Sequence, residues 1–179
     1  MAEHPNVKIE ISVTPNDPFK EKLATNMQAG DPPDLFQTWG GGVLWQYADA
    51  GLVQDLTDAL AEDSWGDSFY PGPMTVYQHN GKTWGVPWNF GMVGFWYNKA
   101  LFEQAGIAET PKTWDEFLIV VQQLKDAGIT PIALGEGDKW PGHFWWSYLA
   151  LRNAGQQGFG AAYTREGSFA DPAFIAAGE

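Results

Sequence analysis

The chain has 179 residues, no cysteine and a net charge of −12. That length buries a respectable core as one domain or two small ones, and without thiols there is neither a disulfide framework nor a thiolate metal site. The negative balance argues against a nucleic-acid partner, whose phosphates need Lys and Arg, and against an anionic membrane surface.

Absence of cysteine fits an extracytoplasmic bacterial protein. No apolar run approaches the ~20 residues that span a bilayer. The start, Met1-Ala2-Glu3-His4-Pro5, lacks the basic and apolar regions of a signal peptide. A cytoplasmic protein would begin this way, and so would a chain that starts after its true N-terminus. Tryptophan is in excess: there are ten, within 15% aromatic residues. Outside helix cores such residues suggest flat faces offered to a ligand, and a sugar ring with C–H groups on one face suits them.

Val7–Val13 alternates apolar and polar residues and reads as a strand with one wet face. Asn16-Asp17 supplies an N-cap and Pro18 a first helical position, with Phe19, Leu23 and Met27 on one face and Gly30 at the end. Asp31-Pro32-Pro33 is a rigid turn, and Asp34–Trp39 reads as a second strand. Strand, helix, strand is a crossover unit that favours a parallel sheet.

That second strand ends in Thr38-Trp39-Gly40-Gly41-Gly42, before a helical pattern at Val43, Leu44, Tyr47 and Ala48 closed by Gly51. Ligands collect at the carboxyl ends of strands in open α/β sheets. Three glycines allow close approach to the backbone at a helix start, and a flexible hinge loop is the equal alternative. No Lys-Ser/Thr follows and the GxGxxG spacing is missing, which counts against a nucleotide cradle. Leu52–Leu60 reads as a short amphipathic connector and Ser64–Gly72 as a packed irregular segment.

Asn80-Gly81 is a two-residue turn between Thr75–His79 and Lys82–Val86. Pro87 ends the pairing. Met92–Tyr97, apolar on both alternating faces, reads as a strand buried between layers. The link Trp88-Asn89-Phe90-Gly91 is then either an aromatic-rich core loop or a crossover between two lobes, its aromatics facing a cleft.

Leu101–Ala105 reads as a helix stopped by Gly106. Thr113-Trp114-Asp115-Glu116 is a capping box. The helix it opens carries Trp114, Phe117, Leu118, Val121 and Leu124 as a buried stripe, with Gly128 after it, which makes Trp114 core. Ile129–Leu134 reads as a strand running into Gly135-Glu136-Gly137-Asp138-Lys139-Trp140-Pro141. His143–Ala154 reads as a buried helix ending at Gly155. The chain is expected to be loose from Gln156, with a helix start at Asp171-Pro172-Ala173-Phe174.

Four segments, Asp31–Gly42, Gly81–Lys99, Thr113–Gly128 and Ile129–Trp140, resemble the extracellular solute-binding proteins of sugar-importing ABC transporters. The branch is the one that includes maltodextrin- and xylooligosaccharide-type receptors. The match lies in the combination of Val93-Gly94-Phe95-Trp96-Tyr97-Asn98-Lys99, Thr113-Trp114-Asp115-Glu116-Phe117 and Gly128-Ile129-Thr130-Pro131-Ile132-Ala133-Leu134-Gly135. The resemblance runs from about Val7 to about Phe174.

The resemblance implies an α/β, periplasmic-binding-protein-like (type II) bilobal fold, represented incompletely: residues 1–90 as a partial N-terminal lobe and 91–179 as a partial C-terminal lobe. It places Thr38, Trp39, Gly40 and Gly41 in an interlobe cleft from the first lobe, Trp88 and Asn89 at the base, and Lys139 and Trp140 from the second lobe. Trp39 and Trp140 would stack on sugar rings, while Asn89, Lys139 and Thr38 would hydrogen-bond hydroxyls. The implied partners are a sugar or oligosaccharide and the permease subunits of an ABC transporter, and the implied location is extracytoplasmic.

In the family's sheet order a further strand lies between Val7–Val13 and Asp34–Trp39. Without it two edges lack their central partner, so self-association and weak or absent sugar binding are expected of this chain. Two other classes compete. A carbohydrate-active hydrolase could use Glu136 with Asp138, but paired acids must face each other ~5–9.5 Å apart, and no serine sits in a GxSxG elbow. A protein-interaction module could use the same aromatics. His4, His79 and His143 have no ligand-like spacing with carboxylates, so no metal, cofactor or catalytic residue is expected.

Overall fold

The computed structural model describes residues 4–179. The opening residues Met1–Glu3, part of the stretch Met1–Pro5 read above against a signal peptide's pattern, lie outside them. The chain divides into two compact units, Met1–Gly91 and Met92–Glu179.

The first unit begins with helix α1, Asn16–Ala29. It starts two residues earlier than the expected first helical position at Pro18. Pro15 occupies the N-cap position with no side-chain bond, and the Asn16 amide instead donates to Asp17 at 3.1 Å. Leu23 and Met27 are buried as the helical spacing requires. Helix α2, Gly41–Asp49, buries Leu44 and Ala48 and packs on a 3-10 turn at Thr75–Tyr77. Short helices α3, Thr57–Ala61, and α4, Pro71–Met74, flank a 3-10 segment at Glu62–Ser68.

Strands β1, Gln78–His79, and β2, Lys82–Thr83, pair antiparallel, Gln78 opposite Thr83 and His79 opposite Lys82. Asn80 and Gly81 both take positive φ, 52° and 74°, as this two-residue hairpin demands. The hairpin is shorter than Thr75–Val86 because Thr75–Tyr77 is helical. The Thr75 hydroxyl donates to the Gly72 carbonyl at 2.8 Å and holds that turn.

Asp55 ties the hairpin to α3. Its carboxylate accepts from Lys82 Nζ at 2.8 Å and from the Thr57 amide and hydroxyl at 3.0 and 2.6 Å. The Thr83 amide in turn donates to Thr57 Oγ1 at 3.0 Å. The Lys82 bond first, then the two from Thr57, hold the Asp55 carboxyl down from 3.8 to about 2. A lowered folded-state value adds stability that is present above 3.8 and lost as pH falls through about 2. Asp55→Asn is therefore expected to flatten the pH dependence of the first unit's urea midpoint across that window. An unchanged slope would show that the bonds contribute nothing to folding.

In the second unit, helix α5, Lys99–Gln104, is capped by the Asn98 side chain, which accepts from Ala100 and Leu101 amides. Helix α6, Trp114–Asp126, opens with the expected capping box: Thr113 Oγ1 accepts from the Glu116 amide, and the Glu116 carboxylate from Thr113. At its end Gly128, with φ 72°, donates to Lys125 O while Ile129 donates to Leu124 O. That pair satisfies two orphan carbonyls and folds Ile129 onto the core of Ile107, Val120 and Leu124. The same bond pair closes α1, α2 and α5. The buried stripe of α6 falls on Val120 and Leu124, whereas Trp114 and Leu118 are exposed. Trp114 is thus not core; it stacks on Phe117 at the surface, ring centroids 5.2 Å apart.

Helix α7 spans Gly142–Tyr163 with a break at Gly155, φ 68° and ψ 171°. The expected end at Gly155 is a break only, and the residues from Gln156 are helical rather than loose. Their Phe159 and Ala162 reach a second core with Ala150, Phe174 and Ala177, and this packing outweighs the poor helix propensity of Gly158 and Gly160. Helix α8, Pro172–Ile175, starts where the Asp-Pro pair predicts.

The four longer strand expectations are corrected. Among the described residues the sole sheet is β1–β2, so Val7–Val13, Asp34–Trp39, Met92–Tyr97 and Ile129–Leu134 are unpaired. The reason is physical: a strand exists through its ladder, and no described segment pairs with these four. Their apolar residues are correspondingly exposed, Val13 and Trp96 each at 89%. Met92–Tyr97 is therefore not buried between layers. Among the described residues no helix is long and apolar enough to cross a membrane.

Candidate functional site

The first group sits where the chain enters α2. The Thr38 hydroxyl accepts from the Gly40 amide at 3.2 Å, a local bond that turns the backbone. Gly40 then takes φ 71° and ψ −159°, and Gly41 φ 64°. A side chain on Gly40 would meet the Val76 carbonyl at 2.7 Å, whereas Gly41 and Gly42 have nothing within 4 Å. Only the latter two leave room for a ligand against the backbone; Gly40 is a packing glycine. Trp39 is 51% exposed. Phe19 leans on it at 6.3 Å, and Lys20 Nζ stands 5.2 Å from its ring centroid. The indole is therefore steadied from α1 while keeping exposed surface.

Trp88 and Asn89 lie in a second place within the same unit. They line an open recess of about 330 Å³ together with Ser68, Tyr70, Pro87 and Phe90. Trp88 is 69% exposed. Tyr70 and Phe90 meet edge to face, 5.8 Å apart at 82°. Tyr70 is a functional candidate that the sequence reading passed over; its signal was the aromatic and proline run Phe69-Tyr70-Pro71-Gly72, read there as part of a packed irregular segment. Phe90 belongs to the Trp88–Gly91 link, whose aromatics were expected either in a core loop or facing a cleft.

Lys139 and Trp140 belong to the second unit. A 3-10 turn at Glu136–Asp138 ends at Lys139, which takes φ 61° and donates its amide to Glu136 O at 3.0 Å. Lys139 is exposed and forms no ion pair among the described residues. Trp140 is 40% exposed; Phe144 stands edge-on to it at 5.8 Å, and the His143 ring donates to its carbonyl. Glu136 accepts from the Gly142 amide at 2.6 Å, capping the start of α7. Among the described residues no group of three or more His, Asp or Glu could hold a metal ion.

The structure thus brings Thr38, Trp39, Gly40 and Gly41 together at one helix start, Trp88 and Asn89 in one recess, and Lys139 and Trp140 on one turn. Each group pairs exposed indole with polar groups. Such an arrangement can stack on the apolar face of a ring and hydrogen-bond its hydroxyls.

The profile of the bacterial extracellular solute-binding protein family matches residues 1–178. The chain is 34% identical over 147 residues to an uncharacterized ABC transporter extracellular-binding protein of Pyrococcus horikoshii, covering 78% of this chain and 32% of that protein. A solved structure concerned with xylan utilization by the thermophilic bacterium Caldanaerobius polysaccharolyticus is 35% identical, with a TM-score of 0.85 over 98% of this chain and 44% of the other. A chitin oligosaccharide binding protein is 27% identical, with a TM-score of 0.87 over the same shares. The chain spans about a third of the curated relative and under half of the solved neighbours. It therefore carries part of their α/β, bilobal, periplasmic-binding-protein-like fold. On the family match and these likenesses, the chain belongs to the bacterial extracellular solute-binding proteins.

Proposed function

We propose that the chain is part of a receptor that binds a sugar or oligosaccharide for delivery to the permease of an ABC transporter, outside the cytoplasm, that its two units act as partial N- and C-terminal lobes, and that sugar binding by this chain alone is weak. The observation that carries this reading is that Trp39, Trp88 and Trp140 keep exposed indole surface beside hydroxyl, amide and ammonium groups. The first unit supplies Thr38, Trp39, Gly41, Trp88 and Asn89, with Gly40 packing the turn that presents them, and the second supplies Lys139 and Trp140. The solved neighbours, one tied to xylan utilization and one to chitin oligosaccharides, support a β-linked oligosaccharide as ligand. The chain acts as a receptor and not as a hydrolase, with Glu136 occupied as a helix cap. The unpaired apolar segments support self-association as well.

Saturation-transfer NMR with xylohexaose and chitohexaose, which reads weak binding, tests the sugar site. Transfer to the sugars is expected, reduced by Trp39→Ala and by Trp140→Ala, with no transfer to a free amino acid. Transfer that survives both substitutions, or none at all, would refute the site. Light scattering on the same samples is expected to show species larger than one chain, and a clean monomer would refute self-association.

A further inference from the structure

Of the four unpaired segments, Val7–Val13 is the one whose charges set a register. Its odd positions, Val7, Ile9, Ile11 and Val13, are apolar and exposed, Ile11 at 83%. Its even positions carry Lys8, Glu10 and Ser12, with Lys8 ion-paired to Glu10 of the same chain. Among the described residues the backbone of 6–13 makes one hydrogen bond, from the Val7 amide to the His4 carbonyl at 3.1 Å. Pro5 and Pro15 bound the stretch, since neither has an N–H to extend a ladder. The other segments offer less. Met92–Tyr97 carries no charge, Asp34–Trp39 carries one, and Pro131 interrupts Ile129–Leu134.

We infer that residues 6–12 form a dimerisation strand: two copies of the chain pair antiparallel about Ile9, and Lys8 of each stands opposite Glu10 of the other. Opposed residues share a face in an antiparallel pair, so Val7 meets Ile11 on the apolar face and Asn6 meets Ser12 on the polar one. The competing registers lose on charge. Centring the pair on Glu10 sets two carboxylates opposite each other, and centring it on Lys8 sets two ammonium groups so. A parallel pair in register does both. Centring on Ile11 opposes no like charges but pairs no opposite ones. A slip by one residue sets apolar positions against polar ones. The arrangement is isologous, each copy giving the contacts it receives, so it closes at two. With a net charge of −12 on each chain the copies repel at long range. Physiological salt screens that repulsion beyond about 8 Å, and the facing pairs lie closer than this. The inference rests on the self-association reading above and gives it a segment and a register.

The experiment uses the whole chain at about 0.15 M salt. Sedimentation equilibrium is expected to show a concentration-dependent dimer. Lys8→Glu and Glu10→Lys each oppose like charges and are expected to weaken it roughly tenfold. Both changes in one chain exchange the pairs and restore the dimer, and so does mixing the two single variants. The Lys8 and Glu10 side chains are 84% and 79% exposed, so none of these changes threatens folding. The native chain has no cysteine, so a single introduced one reports the register. Under oxidised glutathione Ile9→Cys is expected to give a disulfide-linked dimer. Ile11→Cys, about 13 Å from its counterpart along the strand, is expected to give none. If both charge variants associate as tightly as the native chain, the strand is refuted and self-association stands on other segments. Equal cross-linking at positions 9 and 11 refutes the register. A native chain that stays monomeric at every concentration refutes the strand and self-association together.

Discussion

Alanine at Gly40 is expected to destabilise the first unit by about 2–5 kcal/mol, read as a lowered urea midpoint by tryptophan fluorescence. Two effects combine. The backbone at φ 71°, ψ −159° lies in a region essentially reserved for glycine. The added methyl would also sit 2.7 Å from the Val76 carbonyl oxygen and 2.9 Å from its Cγ2. A backbone carbonyl beside a helical turn cannot rotate aside as a side-chain tip can, so α2 or the Thr75–Tyr77 turn must shift. Gly41→Ala is the control. With φ 64° and nothing within 4 Å of the new methyl, it should cost only about 1–2 kcal/mol. Equal losses at the two positions would refute the packing role given to Gly40. The comparison also separates the two explanations of the glycine run, since a ligand-approach role is open only to Gly41 and Gly42.

Phe174→Ala is expected to destabilise the second unit by about 3–5 kcal/mol. Phe174 is 3% exposed and packs against Phe169, Trp146 and Phe159, at 5.0, 6.1 and 6.1 Å between ring centroids. Its carbonyl also accepts from the Trp146 indole at 3.3 Å. Truncation leaves a cavity among three rings, two of them, Trp146 and Phe159, held by the two halves of α7, which limits collapse. Phe169→Ala, at a partly exposed ring, should cost clearly less. A drop under about 1 kcal/mol for Phe174→Ala would mean that this core is too loosely packed to hold the segment after Gly155 in a helix.

The features legible beforehand are those whose cause lies within about four residues. Thr113 and Glu116 cap each other across one helical turn, and nothing distant is needed to satisfy those amides. Asn80-Gly81 reverses the chain because both residues tolerate positive φ. Gly30, Gly51, Gly106 and Gly128 each end a helix by bonds to the preceding turn. Candidate site residues were legible in kind: an indole beside a glycine or a polar side chain is a pattern on the page. That Trp114 remains partly exposed was not.

What the sequence determined alone, then, is the capping box of α6, the glycine ends of α1, α2, α5 and α6, the hairpin turn and the family. What only the tertiary structure decided is pairing and burial. Alternation in Val7–Val13 or Met92–Tyr97 describes a segment fit to be a strand, but ladder bonds belong to two segments at once. Gln156–Tyr163 shows the converse: glycines that speak against a helix are overruled by contacts with Phe174 and Ala177. Gly40 likewise looks like its neighbours until Val76, 36 positions further along, takes up the space where a side chain would go.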